Sequence, residues 1–213
     1  MTFIKQRLVA AFSKTDLLAL YTLRKYGFLA QAGWFESWRT KRPIDAEGKP
    51  VPWMTYPCVS FLATRVASWM EVFEFGCGSS TLWWADRVSK VVSCEHDSAW
   101  YATMKSQVGP NVQLELRNLD QGYASFIEQF PHRFHIAIVD GRDRVNCIKH
   151  SLGSLAPDGI LLLDNSERPQ YLPGIEFLIR QGFRRLDFEG PVPIVSERSM
   201  TTIFYKRENC LNI

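Results

Sequence analysis

Phe73-Glu74-Phe75-Gly76-Cys77-Gly78-Ser79-Ser80-Thr81-Leu82-Trp83-Trp84-Ala85 is the stretch on which the fold turns. Glu71–Phe75 reads as a short apolar strand that stops at Gly76, and Ser80–Val88 fits a helix. The two glycines between them permit a sharp backbone turn and leave no Cβ in the way of a ligand. Ser79, Ser80 or Thr81 can cap the following helix, whose free N–H groups then face the same crevice.

Outward from this turn the chain alternates regularly. Val91–Glu95, Val112–Leu116, His135–Asp140 and Ile160–Asp164 read as further strands. Helical stretches fall between them, from Ser98 to about 107, from about Tyr123 to Phe130, and over Asn146–Leu155, with a turn at Pro157-Asp158-Gly159. Gly174–Gln181 reads as a helix, and Phe183–Phe188 and Thr201–Tyr205 as two last strands. Gly190-Pro191-Val192-Pro193 joins those two without a helical pattern, so they are expected to pair as an antiparallel hairpin at the sheet edge. Strands and helices in alternation predict an α/β fold, a mostly parallel sheet covered on both faces. The run Ile160-Leu161-Leu162-Leu163 has the unbroken apolar character of a strand buried on both sides.

Upstream the pattern differs. Residues 1–38 are helical in character, interrupted by Gly27 and Gly33, and residues 39–57 are rich in proline. The expected organisation is an N-terminal helical extension and linker over 1–57, then one domain over 58–213. Residues 58–70 suggest the first helix of that domain. Phe3, Ile4, Leu8, Val9 and Phe12 with Lys5, Arg7 and Lys14 allow an amphipathic helix. It would pack on the domain, cover the pocket, touch a membrane surface or make a homodimer contact.

A hydrophobic share of 46% against 22% charged residues supplies a core of ordinary size. The net charge of +3 is too small to point to nucleic acid as a partner. Cys58, Cys77, Cys94, Cys147 and Cys210 show no CxxC pair and no metal-finger spacing, which suits free thiols in a reducing compartment. The N-terminus has no continuous apolar h-region and no run long enough to span a bilayer, so the expected location is cytoplasmic. No local motif of a Ser-His-Asp or Cys-His hydrolase occurs, and no glycine loop with a following lysine of the NTPase type.

The glycine turn narrows the chemistry. In an open parallel sheet, ligands bind outside the carboxyl ends of the strands near the switch point. Glu95 ends the second strand, where a carboxylate can accept hydrogen bonds from both hydroxyls of a ribose. A dinucleotide fingerprint would need a third glycine at position 81, which is Thr81; an NAD-dependent oxidoreductase is disfavoured on that ground. The turn instead reads Glu-x-Gly-x-Gly. It resembles motif I of the class I S-adenosylmethionine-dependent methyltransferases. Further matches are Pro52-Trp53-Met54-Thr55-Tyr56-Pro57, Glu95-His96-Asp97 and Trp100-Tyr101, similar to bacterial methyltransferase-like proteins.

The resemblance covers about residues 50–206. It implies a Rossmann-like, seven-stranded sheet with the last strand antiparallel, and S-adenosylmethionine as cofactor. Glu74, Gly76, Gly78, Ser79 and Glu95 are its expected holders. Asp120 either contacts the adenine or caps a helix beginning near Gln121. Trp53 and Tyr56 form an aromatic lid or simply pack on the domain.

Asp140 and the pair Asp164-Asn165 end adjacent strands, so their oxygens can meet at one point. Hard oxygen ligands suit Mg²⁺. The set resembles the metal site of catechol-type O-methyltransferases, where the ion orients a hydroxyl and lowers its pKa. Arg142 and Arg144 beside it would oppose a cation. The alternative is a metal-free site with Asp140, or His96, as the proton acceptor. The two arginines either hold a carboxylate or phosphate of the substrate, or pair with Asp143 or Glu167. The expected activity is methyl transfer to a small-molecule or glycan acceptor, at oxygen. The rival is a nucleoside-binding module of the same fold without catalysis. The absence of an Asn/Asp-Pro-Pro-Tyr motif after the fourth strand argues against amino-methylation of DNA bases.

Overall fold

The structure, a computed structural model, describes residues 16–213. The amphipathic helix expected around Phe3–Phe12 lies outside the described residues. Among the described residues, four helices precede the sheet: α1 (Asp16–Tyr26), α2 (Phe28–Gln31), α3 (Trp34–Thr40) and α4 (Tyr56–Ala63). Then follow β1 (Glu71–Phe75), α5 (Ser79–Ala85), β2 (Lys90–Glu95), α6 (Ser98–Lys105), β3 (Val112–Leu116) and β4 (Phe134–Val139). The chain ends with α7 (Arg144–Ser151), β5 (Leu155–Asp164), α8 (Leu172–Arg180), β6 (Arg184–Pro191) and β7 (Arg198–Tyr205).

The strands form one seven-stranded sheet in the order β3-β2-β1-β4-β5-β7-β6. β1 to β5 are mutually parallel, and β7 runs antiparallel to both β5 and β6. The expected α/β fold with an antiparallel last strand is therefore present, and β6 and β7 do pair as a hairpin. The hairpin turns inward: β7 inserts beside β5, and β6 takes the edge. That placement satisfies the buried edge of β5 with the more apolar strand. Ile203 and Phe204 are fully buried, whereas β6 has no buried residue.

Alternation along the strands divides the core in two. Phe73, Val92, Ala137, Leu161 and Phe204 face one side, with Ile148 of α7 and Leu178 of α8. Val72, Val91, Ile136, Ile160 and Ile203 face the other, with Leu62 of α4 and Trp84 of α5. Successive side chains of a strand point to opposite faces, so an unbroken apolar run requires a cover on each.

Three elements differ from the sequence reading. The helix expected over 58–70 runs from Tyr56 to Ala63 and ends in turns, one of which places Trp69 edge-on to His135 at 4.7 Å. The helix expected from Tyr123 to Phe130 is one short 3₁₀ turn, Phe126–Gln129. Pro131 disfavours helical geometry at Phe130, and Tyr123, Phe126 and Ile127 are all buried, so packing dominates over helical continuity. The turn expected at Pro157–Gly159 is an irregularity within β5, where the register against β4 shifts between Phe134 and Ile136.

The proline-rich stretch docks on the sheet. Val51, Met54, Thr55 and Tyr56 are buried, and Thr55 bonds both Thr201 Oγ1 (3.1 Å, through its N–H) and the Phe188 carbonyl (3.0 Å, through its hydroxyl). Ahead of it, α3 is fixed by Trp34, whose Nε1 donates to the Val195 carbonyl at 2.9 Å. No helix among the described residues is long and apolar enough to cross a membrane.

Candidate active site

The chain runs β1, β2, β3 outward on one side of β1 and returns to place β4 on its other side. This switch point opens a crevice at the carboxyl ends of β1 and β4. A cavity of about 1470 Å³ occupies it, lined by the 74–80 turn, Glu95, Asp140, Asp164 and the loops beyond them. Its size exceeds the few hundred to about 1,000 Å³ of an ordinary small-molecule site and leaves room for two ligands.

The backbone at the bend is constrained on all sides. Gly76 has φ +93°, a region that side chains rarely adopt, and its N–H donates to the Cys94 carbonyl at 2.8 Å. Gly141 passes so close that a Cβ there would lie 2.0 Å from the Tyr123 hydroxyl. Thr81 explains the absence of a third glycine. Its buried hydroxyl accepts the Gly78 N–H at 3.0 Å and donates to Glu74 Oε2. The residue that departs from a dinucleotide fingerprint thus ties the bend to the acidic residue before it.

Glu74 is fully buried. Oε2 also accepts from Ser93 at 3.2 Å, but Oε1 has no partner. Burial pushes its carboxyl up to about 7, against the pull of the Thr81 and Ser93 hydrogen bonds and of the nearby Ser80 hydroxyl, which makes no hydrogen bond to it. A buried acceptor left unpaired costs of the order of 1–3 kcal/mol, so this oxygen is a place for a donor.

Glu95 faces the bend. Oε1 accepts the N–H groups of His96 (2.7 Å) and Asp97 (2.8 Å), and Oε2 accepts that of Cys77 (3.2 Å). The Cys77 thiol approaches Oε2 at 3.5 Å as a weak fourth donor. A carboxylate offers about four lone-pair positions, so room remains for one strong hydroxyl donor in the thiol's place. The carboxylate expected from sequence to accept two ribose hydroxyls is thus already engaged by three N–H groups of its own backbone surroundings.

Trp100, at the start of α6, reaches across the bend. Its Nε1 donates to the Cys77 carbonyl at 2.7 Å, and the residue, 46% exposed, lines the cavity. Asp97 caps α6 by accepting the Trp100 N–H at 2.8 Å. The helical position of Trp100, immediately after the Glu95-His96-Asp97 run, was a signal available in the sequence. Its role as a wall of the bend was not assigned.

On the other side of β1, Arg144 occupies the place expected for a metal. Its Nη2 donates to Asp140 Oδ1 (3.0 Å) and the Asp140 carbonyl (2.7 Å). Nη1 donates to the Asp164 carbonyl and to Asn165 Oδ1 (3.2 Å), and Nε to the Gly141 carbonyl (3.0 Å). Asp164 Oδ1 accepts from the Thr201 hydroxyl at 2.6 Å. The ends of β4 and β5 thus converge as expected, but on a guanidinium. No group of three or more His, Cys, Asp or Glu side chains suited to a metal occurs among the described residues. The donor set of Asp140, Asp164 and Asn165 does not fit Mg²⁺, because a cation already sits inside it.

Burial pushes the Asp140 carboxyl up to about 6; Arg144 and Arg168 restrain the rise and Glu74 adds to it. Burial, then repulsion from Asp140, also raises Asp164.

The remaining expected residues are distributed unevenly. Gly78 and Ser79 line the cavity with Gly76. His96 lines it as well, with Nδ1 2.8 Å from Glu95 Oε1 but without hydrogen-bond alignment. It stands on the β2 side, across β1 from Asp140. Asp120 is exposed in the turn after β3 and outside the cavity lining, and no helix begins at Gln121 for it to cap. Trp53 lines the cavity with 45% of its surface exposed, whereas Tyr56 is a core residue packed edge-on against Phe28 at 6.1 Å. The four residues Cys58, Cys94, Cys147 and Cys210 are buried free thiols, and Cys77 is a partly exposed one.

No family model matches the chain, and no curated protein matches it. Solved structures do. A precorrin 8w decarboxylase from Methanobacterium thermoautotrophicum is 16% identical with a TM-score of 0.58, over 78% of this chain and 97% of that one. A tRNA methyltransferase from Aquifex aeolicus is 17% identical with a TM-score of 0.54, over 73% and 70%. A SAM-dependent O-methyltransferase from Thermotoga maritima is 16% identical with a TM-score of 0.55, over 73% and 67%. The chain has the Rossmann-like fold of the S-adenosylmethionine-dependent methyltransferases.

Proposed function

We propose that this chain is an S-adenosylmethionine-dependent methyltransferase acting on an oxygen of a small-molecule or glycan acceptor. The observation that carries the reading is Glu74: a fully buried carboxylate in the wall of the cavity, at the head of the glycine bend, with one oxygen unpartnered. An ammonium group satisfies that oxygen. The bend at Gly76–Gly78 admits the ligand's backbone-like portion, Ser79 adjoins it, and Glu95 accepts a ribose hydroxyl. His96 and Trp100 flank the nucleoside end. Residues 1–57 form the appended segment and 58–213 the transferase domain, with residues 41–43 and Trp53 closing the cavity wall.

The bound cofactor supplies an activated methyl group, which leaves its sulfonium sulfur as the new bond to the acceptor oxygen forms. The protein's part is alignment and proton removal. Asp140 lines the cavity on the β4 side, its Oδ1 accepting from Arg144 at 3.0 Å, and is the group that accepts the hydroxyl proton. His96 is across β1 from that position, which favours Asp140 over it. Arg144 keeps the carboxylate oriented without an ion.

Calorimetry with S-adenosylhomocysteine tests the cofactor site, and absence of binding at millimolar ligand overturns it. Binding is expected to release protons near pH 6–7. A group at about 7 in the free protein is partly protonated there, and an adjacent ammonium lowers its pKa. Titration in buffers of different ionisation enthalpy measures this release, and Glu74→Gln abolishes it. No release anywhere between about pH 5.5 and 7.5 removes the role given to Glu74.

Transfer itself is expected to rise with pH through about 6, where Asp140 ionises, and then level off. A chelator should leave the rate unchanged, because Arg144 stands where the ion would. Loss of activity in a chelator, restored by Mg²⁺, would show that this assignment is mistaken.

A further inference from the structure

The sequence placed Arg142 and Arg144 together as candidates to meet an anion. The structure separates them: Arg144 is buried and committed to the strand ends, while Arg142 is exposed on the cavity wall. Positive charge arrives from a second, distant segment. Lys41 and Arg42, just after α3, line the same cavity. Lys41 adopts a left-handed conformation (φ 55°) and lies over the Trp38 ring at 4.1 Å, and Trp38 stacks on Trp34. Trp34 anchors the helix to Val195, itself a cavity residue. Gly33 packs so tightly that a Cβ would meet the Asp45 backbone at 2.2 Å. The segment is therefore a built wall.

Among the described residues, Lys41, Arg42 and Arg142 form no ion pair. Of the carboxylates that line the cavity, Glu167 and Glu197 lie on the loops that follow β5 and β6, outside the glycine bend and the strand ends. Glu167 is engaged by the Met200 N–H at 3.0 Å and lies 3.9 Å from Arg168. Trp53, Val192 and Val195 add apolar surface to the same cavity. Unpaired guanidinium and ammonium groups converging on one cavity from two chain segments match an anion that brings several acceptor oxygens.

We propose that the methyl acceptor carries a phosphate or carboxylate group, held by Lys41, Arg42 and Arg142, with its ring covered by Trp53 and a hydroxyl presented to Asp140. This deepens the proposed function and rests on it for the reacting end.

The test uses the full chain, titrated with inorganic phosphate, glucose 6-phosphate, glucuronate and glucose, each with and without S-adenosylhomocysteine. At least one anionic probe should bind at millimolar concentration and glucose should not. Preference for glucose 6-phosphate or glucuronate identifies which anion is meant. The Lys41→Ala/Arg42→Ala pair and Arg142→Ala should each weaken the anion about tenfold or more while S-adenosylhomocysteine affinity is unchanged, which also shows that the variants fold. Anion binding equal in wild type and variants, or none by the wild type, overturns the inference. If S-adenosylhomocysteine fails to bind, the proposed function falls; the titrations without it still decide the anion site.

Discussion

Replacing Arg144 with methionine is expected to lower stability by about 3–5 kcal/mol, the cost of breaking a buried ion pair on one side only. For a domain of this size that corresponds to a fall in Tm of roughly 10 °C. The side chain is 8% exposed and makes five hydrogen bonds, three to the carbonyls of Asp140, Gly141 and Asp164. Methionine fills the volume but donates nothing, and those acceptors are left unpaired in the cavity floor. Lysine should rescue only in part, because a point charge cannot reproduce a planar fork that spans two strand ends.

The deficit should depend on pH in a definite direction. The Asp140 carboxyl ordinarily titrates near 3.8 and is raised to about 6 in the fold. A carboxyl raised on folding favours the folded state below its unfolded pKa, and that contribution is lost as pH rises through its folded pKa. Arg144 opposes this rise, so its removal pushes Asp140 further up. The variant is then least impaired near pH 4, where both strand-end carboxyls are protonated, and most impaired above about pH 6. Thermal denaturation across that range measures it. A Tm change below about 2 °C at pH 7 would show that the guanidinium does not hold the strand ends together.

The second large effect falls on Glu95. Alanine there is expected to weaken S-adenosylhomocysteine about 100-fold or more, through loss of a charge-assisted hydrogen bond and of the bend's own support. Three backbone N–H groups, at Cys77, His96 and Asp97, depend on this carboxylate. Glutamine keeps one carbonyl oxygen for His96 and Asp97 but turns a donor toward the Cys77 N–H, so an intermediate loss of about tenfold is expected. Calorimetry on both variants, with the melting temperature of each, separates lost contact from lost shape. Alanine at 95 binding within about threefold of the wild type would remove Glu95 from the cofactor site.

Both residues illustrate what can be seen without coordinates. Glu95 was legible because its position is local: a carboxylate ending a strand, one crossover beyond a glycine turn, must lie near that turn in a parallel sheet. Arg144 was legible as a charge opposed to a metal, as a holder of a substrate anion, or as a partner of Asp143 or Glu167. That it satisfies backbone carbonyls of two strands depends on β4 and β5 being neighbours, and on a helix starting at Arg144 itself. Asp120 shows the limit of local reading. The helix expected near Gln121 for it to cap is replaced by turns, and the side chain is exposed.

From the chain's chemistry alone came the alternation of strands and helices, the two-sided burial of β5, the glycine bend and its two acidic neighbours. Each is a property of a few consecutive residues, set by backbone sterics and by the period of apolar side chains. Tertiary structure alone decided that β7 lies inside β6, that Thr81 binds Glu74 to the bend, that Arg144 stands where a metal ion was expected, and that Lys41 and Arg42 line one cavity with Arg142. The reason is physical: a buried polar group takes whichever partner packing brings within reach, and packing brings together segments that no local pattern connects.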